Sequence, residues 1–288
     1  MLQQNSPLIQ AAELLQLREW GGWVLIDASN GPGAKESYEK AHLEGAKHVD
    51  LNTELATILP DVAIGGRHPL PSPAKFAALL TRLGIHPSTR VVIYDNSNAA
   101  NAAARLWWML RAIGHAKVQV VDGGMQAAVA AGFPVSSEVP EVAPTAPYPV
   151  AEWNLPLADI EEIDRIAQDP AHLVIDVRDN YRYQGESEPI DLIAGHIPGA
   201  INVPFSTNLD QNGLFLSAEL LRTKYQSVFA GREPNDIVVH CGSGVTACHT
   251  LLAVAAAGLE IPKLYVGSWS EWSRNNRPMV TKENQAHN

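Results

Sequence analysis

The chain is 288 residues long, room for one large domain or two of ordinary size, and 46% of it is hydrophobic against 18% charged. A net charge of -10 argues against nucleic acid as a general partner, and no apolar run approaches the roughly 18–20 residues of a membrane span. With only two cysteines, Cys241 and Cys248, a disulfide scaffold is excluded and one of them is open to a chemical role.

The N-terminal stretch lacks the basic start and compact apolar segment of a secretory signal, so a cytoplasmic location is expected. Ser6-Pro7 followed by Leu8, Ala11, Ala12 and Leu15 predicts a capped amphipathic helix. Short apolar runs then read as buried parallel strands at VLIDAS (24–29), VVIYD (91–95) and VVDGGM (120–125). Between the first two, Ser72-Pro73 opens a helix that Gly84 closes. Residues 133–153 carry Pro134, Pro140, Pro144, Pro147 and Pro149, the composition of an extended, semi-rigid linker.

Beyond the prolines the same plan runs a second time. LVIDVR (173–178) answers VLIDAS, GHIPGAINV (195–203) answers AHLEGAKHV (41–49), IVVHC (237–241) answers VVIYD, and LYVGSW (264–269) answers VVDGGM. Strands alternating with helices predict an α/β architecture of two similar domains, each a parallel sheet flanked by helices. The expected boundaries are 1–135 and 151–288, joined by a linker at 136–150.

The two copies differ where chemistry would sit. The strand that ends at Cys241 in the second copy ends at Asp95 in the first, so only the second retains a nucleophile. After Cys241, Gly242 and Gly244 permit positive φ and close backbone approach, and residues 246–257 form a helical pattern ending at Gly258. A cysteine at a strand end, ahead of a loop that curls into a helix N-terminus, meets converging N–H groups and a favourable dipole. Both stabilise a thiolate and any anion bonded to it. Cys248 lies within the helix and reads as a packing residue. His240, Cys241, Cys248 and His249 lack the spacing of a metal site.

The loop Cys241-Gly-Ser-Gly-Val-Thr246 resembles the active-site loop of the 3-mercaptopyruvate sulfurtransferases, within the rhodanese superfamily. GHIPGAINVP (195–204) and GSWSEW (267–272) resemble two further rhodanese motifs, and the resemblance spans almost the whole chain. It implies ping-pong transfer. Cys241 takes sulfur from a small anionic donor as a persulfide and passes it to cyanide, a thiol or a thioredoxin-like acceptor, with no metal or organic cofactor. By position it implies a substrate-binding loop of Gly242, Gly244, Val245 and Thr246. It also implies catalytic assistance from Ser243 and from His68 in RHPLPSP, and a carboxylate contact by Arg182. Arg178 is expected in a structural ion pair, and His42 and His196, at equivalent repeat positions, in maintaining the fold.

Two departures bear on the donor. Ile190 stands where a second carboxylate-binding arginine falls in that family, and Asn52 where an acidic residue is common. Against thiosulfate, the loop after Cys241 carries no charged residue to meet a sulfonate. Mercaptopyruvate therefore ranks first and thiosulfate second. A cysteine phosphatase needs an arginine six positions after the nucleophile, where this chain has Ala247, and that reading fails. A non-catalytic binding or sulfur-relay module remains as the alternative from another class. Oligomeric state is not readable from the sequence.

Overall fold

The computed structural model describes residues 6–100, 102–142, 145–150 and 152–282. Met1 to Asn5 and the linker residue Pro144 lie outside the described residues. Two compact units result, and neither is one uninterrupted stretch of chain. The first comprises Met1–Thr57, Pro71–Leu155 and Asp210–Phe215; the second comprises Ile58–Leu70, Pro156–Leu209 and Leu216–Asn288.

In the first unit the elements are β1 (Leu8–Ile9), α1 (Ala11–Leu17), β2 (Trp23–Asp27), α2 (Ala34–Lys40), β3 (His42–Leu43) and β4 (Lys47–His48). They continue with α3 (Pro73–Arg82), β5 (Arg90–Tyr94), α4 (Ala102–Ala112), β6 (Val118–Val121), α5 (Gly124–Ala130) and β7 (Val135–Ser136). The second unit holds β8 (Leu157–Ala158), α6 (Ile160–Ile166), β9 (Leu173–Asp176), α7 (Asn180–Tyr183) and β10 (Ile201–Asn202). It ends with α8 (Ala218–Phe229), β11 (Ile237–His240), α9 (Ala247–Ala256), β12 (Lys263–Tyr265) and α10 (Ser268–Trp272).

The two central sheets are parallel throughout and have one strand order. The first runs β1-β6-β5-β2-β4 and the second β8-β12-β11-β9-β10, so each strand of one has its counterpart in the other. The central strands are apolar because both faces are covered: Val91 to Tyr94 and Ile237 to His240 are buried at every position. The internal duplication extends to small details. His42 stacks on Tyr38 at 4.0 Å and His196 on Tyr183 at 3.7 Å, each histidine pairing through Nδ1 with that tyrosine's carbonyl.

The N-terminus departs from expectation. Leu8 and Ile9 form an edge strand paired with Val120 and Val121, and the helix begins only at Ala11. Gln10 is its cap, and Glu13 reaches back to accept from the Gln10 N–H at 3.1 Å. The ladder satisfies the backbone of Leu8 and Ile9 and buries both side chains, which a first helical turn led by Ser6-Pro7 would not do. At α3 the expectation holds: Ser72 Oγ accepts from the Lys75 N–H at 3.2 Å, and Gly84 is left-handed.

The proline-rich stretch clusters with the first unit. Tyr148 N–H donates to Thr81 Oγ1, its hydroxyl pairs with His115 Nδ1, and the Trp153 ring packs near Phe76 and Trp108. Aromatic side chains between the prolines give this extended segment an apolar surface to lie on.

Candidate active site

Cys241 stands at the carboxyl end of β11 and is 2% exposed. The loop after it is held from below by the turn into α10. Trp269 N–H donates to the Cys241 carbonyl at 3.1 Å and Ser270 N–H to the Gly242 carbonyl at 2.9 Å. Ser268, itself at φ 54°, receives the Cys241 N–H on its hydroxyl at 3.2 Å. This is the work of the GSWSEW sequence: its backbone and serines fix the cradle. Gly244 takes φ +72°, and a Cβ there would lie 2.4 Å from the Val266 carbonyl oxygen. Gly242 does not need positive φ; its missing side chain leaves space for charged groups described below.

The carbonyls of Cys241, Gly242 and Gly244 are engaged, whereas several of the loop's N–H groups are not. Among the described residues no protein acceptor takes the N–H of Gly242, Ser243, Val245 or Thr246. The equivalent loop of the first unit shows what such donors are suited to. There Asp95 Oδ1 accepts from the N–H groups of Ser97 at 2.8 Å and Ala99 at 2.9 Å, and Oδ2 from Ala103 at 3.3 Å. The carboxylate is wholly buried in a nest of its own backbone. Ser243 and Val245 occupy the loop positions of Ser97 and Ala99.

Ser243 Oγ lies 2.8 Å from His68 Nδ1, which brings together two of the expected catalytic residues from 175 positions apart. His68 belongs to the second unit because the segment Ile58–Leu70 clusters there. Gly65 N–H donates to Glu271 Oε1 at 2.7 Å, Asn275 donates to the Ala63 carbonyl, and Arg67 N–H donates to Ser270 Oγ at 3.1 Å. Asn52 belongs to the first unit.

Arg182 lies on α7. Its Nε and Nη2 grip Glu188, and Nη2 lies 3.4 Å from Asp191 Oδ2. Arg178 is saturated by Asp176, Glu188 and the Gly195 carbonyl, and its guanidinium stacks over Trp269 at 4.8 Å. Burial alone would raise Asp176, but Arg178 and His240 hold its carboxyl below the usual range. Burial works the same way on Glu188, and hydrogen bonds from Arg182 overcome it. His240, next to Cys241, is pushed down by burial despite nearby Asp176. Ile190 is 54% exposed and contributes only its N–H, to Glu188 Oε1 at 3.0 Å. Cys248 is buried in α9 and donates to the Gly244 carbonyl at 3.4 Å.

Sequence reasoning missed Arg67, Asp191 and Arg274. Asp191 has no exposed side-chain surface and accepts from all three of Arg67, Arg182 and Arg274. The available signals were an acidic residue in the otherwise apolar IDLIA stretch and an arginine directly before His68.

The chain matches known proteins over most of its length. The rhodanese-like domain family matches twice, at residues 10–131 and 159–275. A probable 3-mercaptopyruvate sulfurtransferase of Pseudomonas aeruginosa is 39% identical over 246 residues, covering 85% of this chain and 86% of that one. A thiosulfate sulfurtransferase of Rattus norvegicus is 34% identical over 262 residues, covering 88% and 86%. The solved structure of 3-mercaptopyruvate sulfurtransferase from Leishmania major superposes with a TM-score of 0.83 at 30% identity, over 95% of this chain and 76% of that one.

Proposed function

This chain belongs to the rhodanese-like family and is a sulfurtransferase, and on that premise we propose that Cys241 takes sulfur from 3-mercaptopyruvate and carries it as a persulfide. The observation that carries the reading is the pair of loops. Two of the N–H positions that Asp95 fills with its own carboxylate, those of Ser97 and Ala99, have no protein acceptor among the described residues at their counterparts Ser243 and Val245, where an anionic outer sulfur would take the carboxylate's place. A first copy with a fixed internal anion has no nucleophile, so residues 1–135 act as a non-catalytic domain and residues 151–288 as the catalytic one.

The Cys241 thiolate attacks the donor sulfur, forming an S–S bond while the C–S bond breaks. The electron pair of that bond leaves as the enolate of pyruvate and takes a proton to give pyruvate. Ser243, hydrogen-bonded to His68, is placed to supply it. A thiol, cyanide or a thioredoxin-like protein then attacks the outer sulfur and releases the Cys241 thiolate. Such acceptors are kept reduced in the cytoplasm, which is the location this chemistry suits.

Thiosulfate is the second donor. It would leave sulfite, which needs no carbon-bound proton, and the guanidinium groups beside the loop suit a sulfonate as well as a carboxylate. The test is kcat/KM for both donors with cyanide as common acceptor, combined with mass analysis of the Cys241 peptide after donor alone. A preference for mercaptopyruvate and a gain of one sulfur atom on Cys241 are expected. No added sulfur with either donor would overturn the persulfide, and a clear preference for thiosulfate would reverse the order of donors.

A further inference from the structure

Gly242 directly follows the nucleophile, and a carbon placed on its Cα would sit 3.0 Å from Arg67 Nη2, 3.4 Å from Arg182 Nη2 and 3.6 Å from Asp191 Oδ2. Two guanidinium groups from remote parts of the sequence therefore converge beside one residue of the loop. Asp191 anchors both. Arg67 places Nε 3.1 Å from Oδ1 and Nη2 3.4 Å from Oδ2, and Arg182 places Nη2 3.4 Å from Oδ2. Arg274 takes Oδ1 as well, at 3.2 Å.

The charges in this network do not cancel. Among the described residues, Arg67, Arg178, Arg182 and Arg274 form ion pairs only with Asp176, Glu188 and Asp191, which leaves a positive surplus in a protein of net charge -10. Arg178 is not its outlet, since its side chain is 1% exposed and fully engaged. Arg67 and Arg182 each commit Nε and Nη2 to carboxylates, and among the described residues neither Nη1 has an acceptor. Arg67 is the more open of the two, at 25% side-chain exposure against 10%.

We propose that Arg67 and Arg182 together form the receiving site for the anionic end of the sulfur donor, a carboxylate or a sulfonate, with Asp191 as the positioning residue that sets their spacing. The proposal rests on the reading of Cys241 as the sulfur-carrying nucleophile. Arg67 is held well enough for this role. Its N–H is tied to Ser270 Oγ, and Gly66 before it passes so close that a Cβ would lie 2.3 Å from the Gly267 oxygen. A guanidinium already gripped by a buried carboxylate has little freedom left to lose when an anion binds. The site thus draws its second arginine from the segment beside His68, while position 190 presents an isoleucine to solvent.

The experiment compares alkylation of Cys241 by iodoacetate, which is anionic, and by iodoacetamide, which is neutral. Both form the same S–C bond with loss of iodide, so a change in thiolate population affects them equally and cancels in the ratio. Rates are measured on the full chain for wild type, Arg67→Met and Arg67→Lys, with the modified cysteine located by peptide mass. Arg67→Met is expected to slow iodoacetate about tenfold or more relative to iodoacetamide and to raise KM for both anionic donors. Arg67→Lys is expected to restore much of the ratio, which a merely structural role would not do. A ratio in Arg67→Met equal to that of wild type, or left unrestored by lysine, overturns the proposal. Retention of transfer in Cys241→Ser would instead remove the functional reading, whatever the reagent ratio.

Discussion

Asp95 and Cys241 end equivalent strands, β5 and β11, and the loops after them are built alike. Each carbonyl accepts from the helix that follows the next strand, Met125 N–H in one case and Trp269 N–H in the other, both at 3.1 Å. Each loop turns through a left-handed residue at its fourth position, Asn98 at φ 54° and Gly244 at φ 72°. What differs is what meets the donors. Asp95 meets the N–H groups of Ser97 and Ala99 with its own carboxylate, whereas those of Ser243 and Val245 beside Cys241 have no protein acceptor among the described residues. The surroundings follow suit. A cavity of about 400 Å³ near the first loop is lined by Asn96, Asn98, Gln126 and Asn212, amides without a charge, whereas guanidinium groups flank the second. One backbone nest is thus filled from within in one copy and, among the described residues, left with unpaired donors in the other, and the residue that ends the strand differs between them.

The largest expected effect breaks the comparison at its centre. Cys241→Ser should lower sulfur transfer by about a thousandfold or more, measured with either donor and cyanide. Adding Asp95→Cys to that variant should restore nothing, because amides rather than arginines flank the first loop. Next, Ser243→Ala should reduce kcat with mercaptopyruvate roughly ten- to hundredfold and spare thiosulfate, since only the first donor needs a proton on carbon. Equal losses on both would show that Ser243 shapes the loop instead. Arg182→Ala should raise KM for mercaptopyruvate and thiosulfate alike by about tenfold, the loss of one charge-assisted contact worth roughly 1.5–3 kcal/mol.

Asp95→Ala tests the closed loop. Leaving its buried N–H groups without an acceptor should cost about 1–3 kcal/mol in thermal or denaturant unfolding, with activity per folded molecule unchanged. Acid should separate the units further. Burial lowers His196 and His240 in the second unit and His115 in the first below the ordinary 6.5, so the folded state prefers them neutral. Their contribution is complete above about pH 6.5 and is lost as pH falls through the depressed values. Asp176 and Glu188, also lowered, lose theirs further down, whereas burial raises Asp122 in the first unit, a penalty that acid relieves. Hydrogen exchange between pH 7.5 and pH 5 should therefore show β11 losing protection before β5. The smallest effect is expected for Cys248→Ser, which should keep most of the activity because that thiol is buried in α9 and donates to the Gly244 carbonyl.

The duplication and the parallel α/β alternation were legible in the sequence, which also singled out Cys241 rather than Cys248 as the candidate nucleophile. Each rests on local pattern: continuous apolar runs, capped helices, and a glycine-containing turn directly after a strand. Leu8 and Ile9 were misread for a related reason. An apolar pair after Ser-Pro fits a helix start locally, and only its pairing with Val120 and Val121 makes it a strand.

The sequence by itself singled out Cys241 as the candidate nucleophile and Asp95 as its counterpart in the other copy, because the cysteine and its loop are contiguous. Only tertiary structure decided what surrounds that nucleophile. Arg67, His68, Arg182, Asp191 and Arg274 are spread over more than 200 residues, and their meeting at one loop depends on where Ile58–Leu70 packs. Ile190 indicated a missing arginine by position. The charge balance around Gly242 indicates that it is supplied from elsewhere, since electrostatics acts through distance in space and not along the chain.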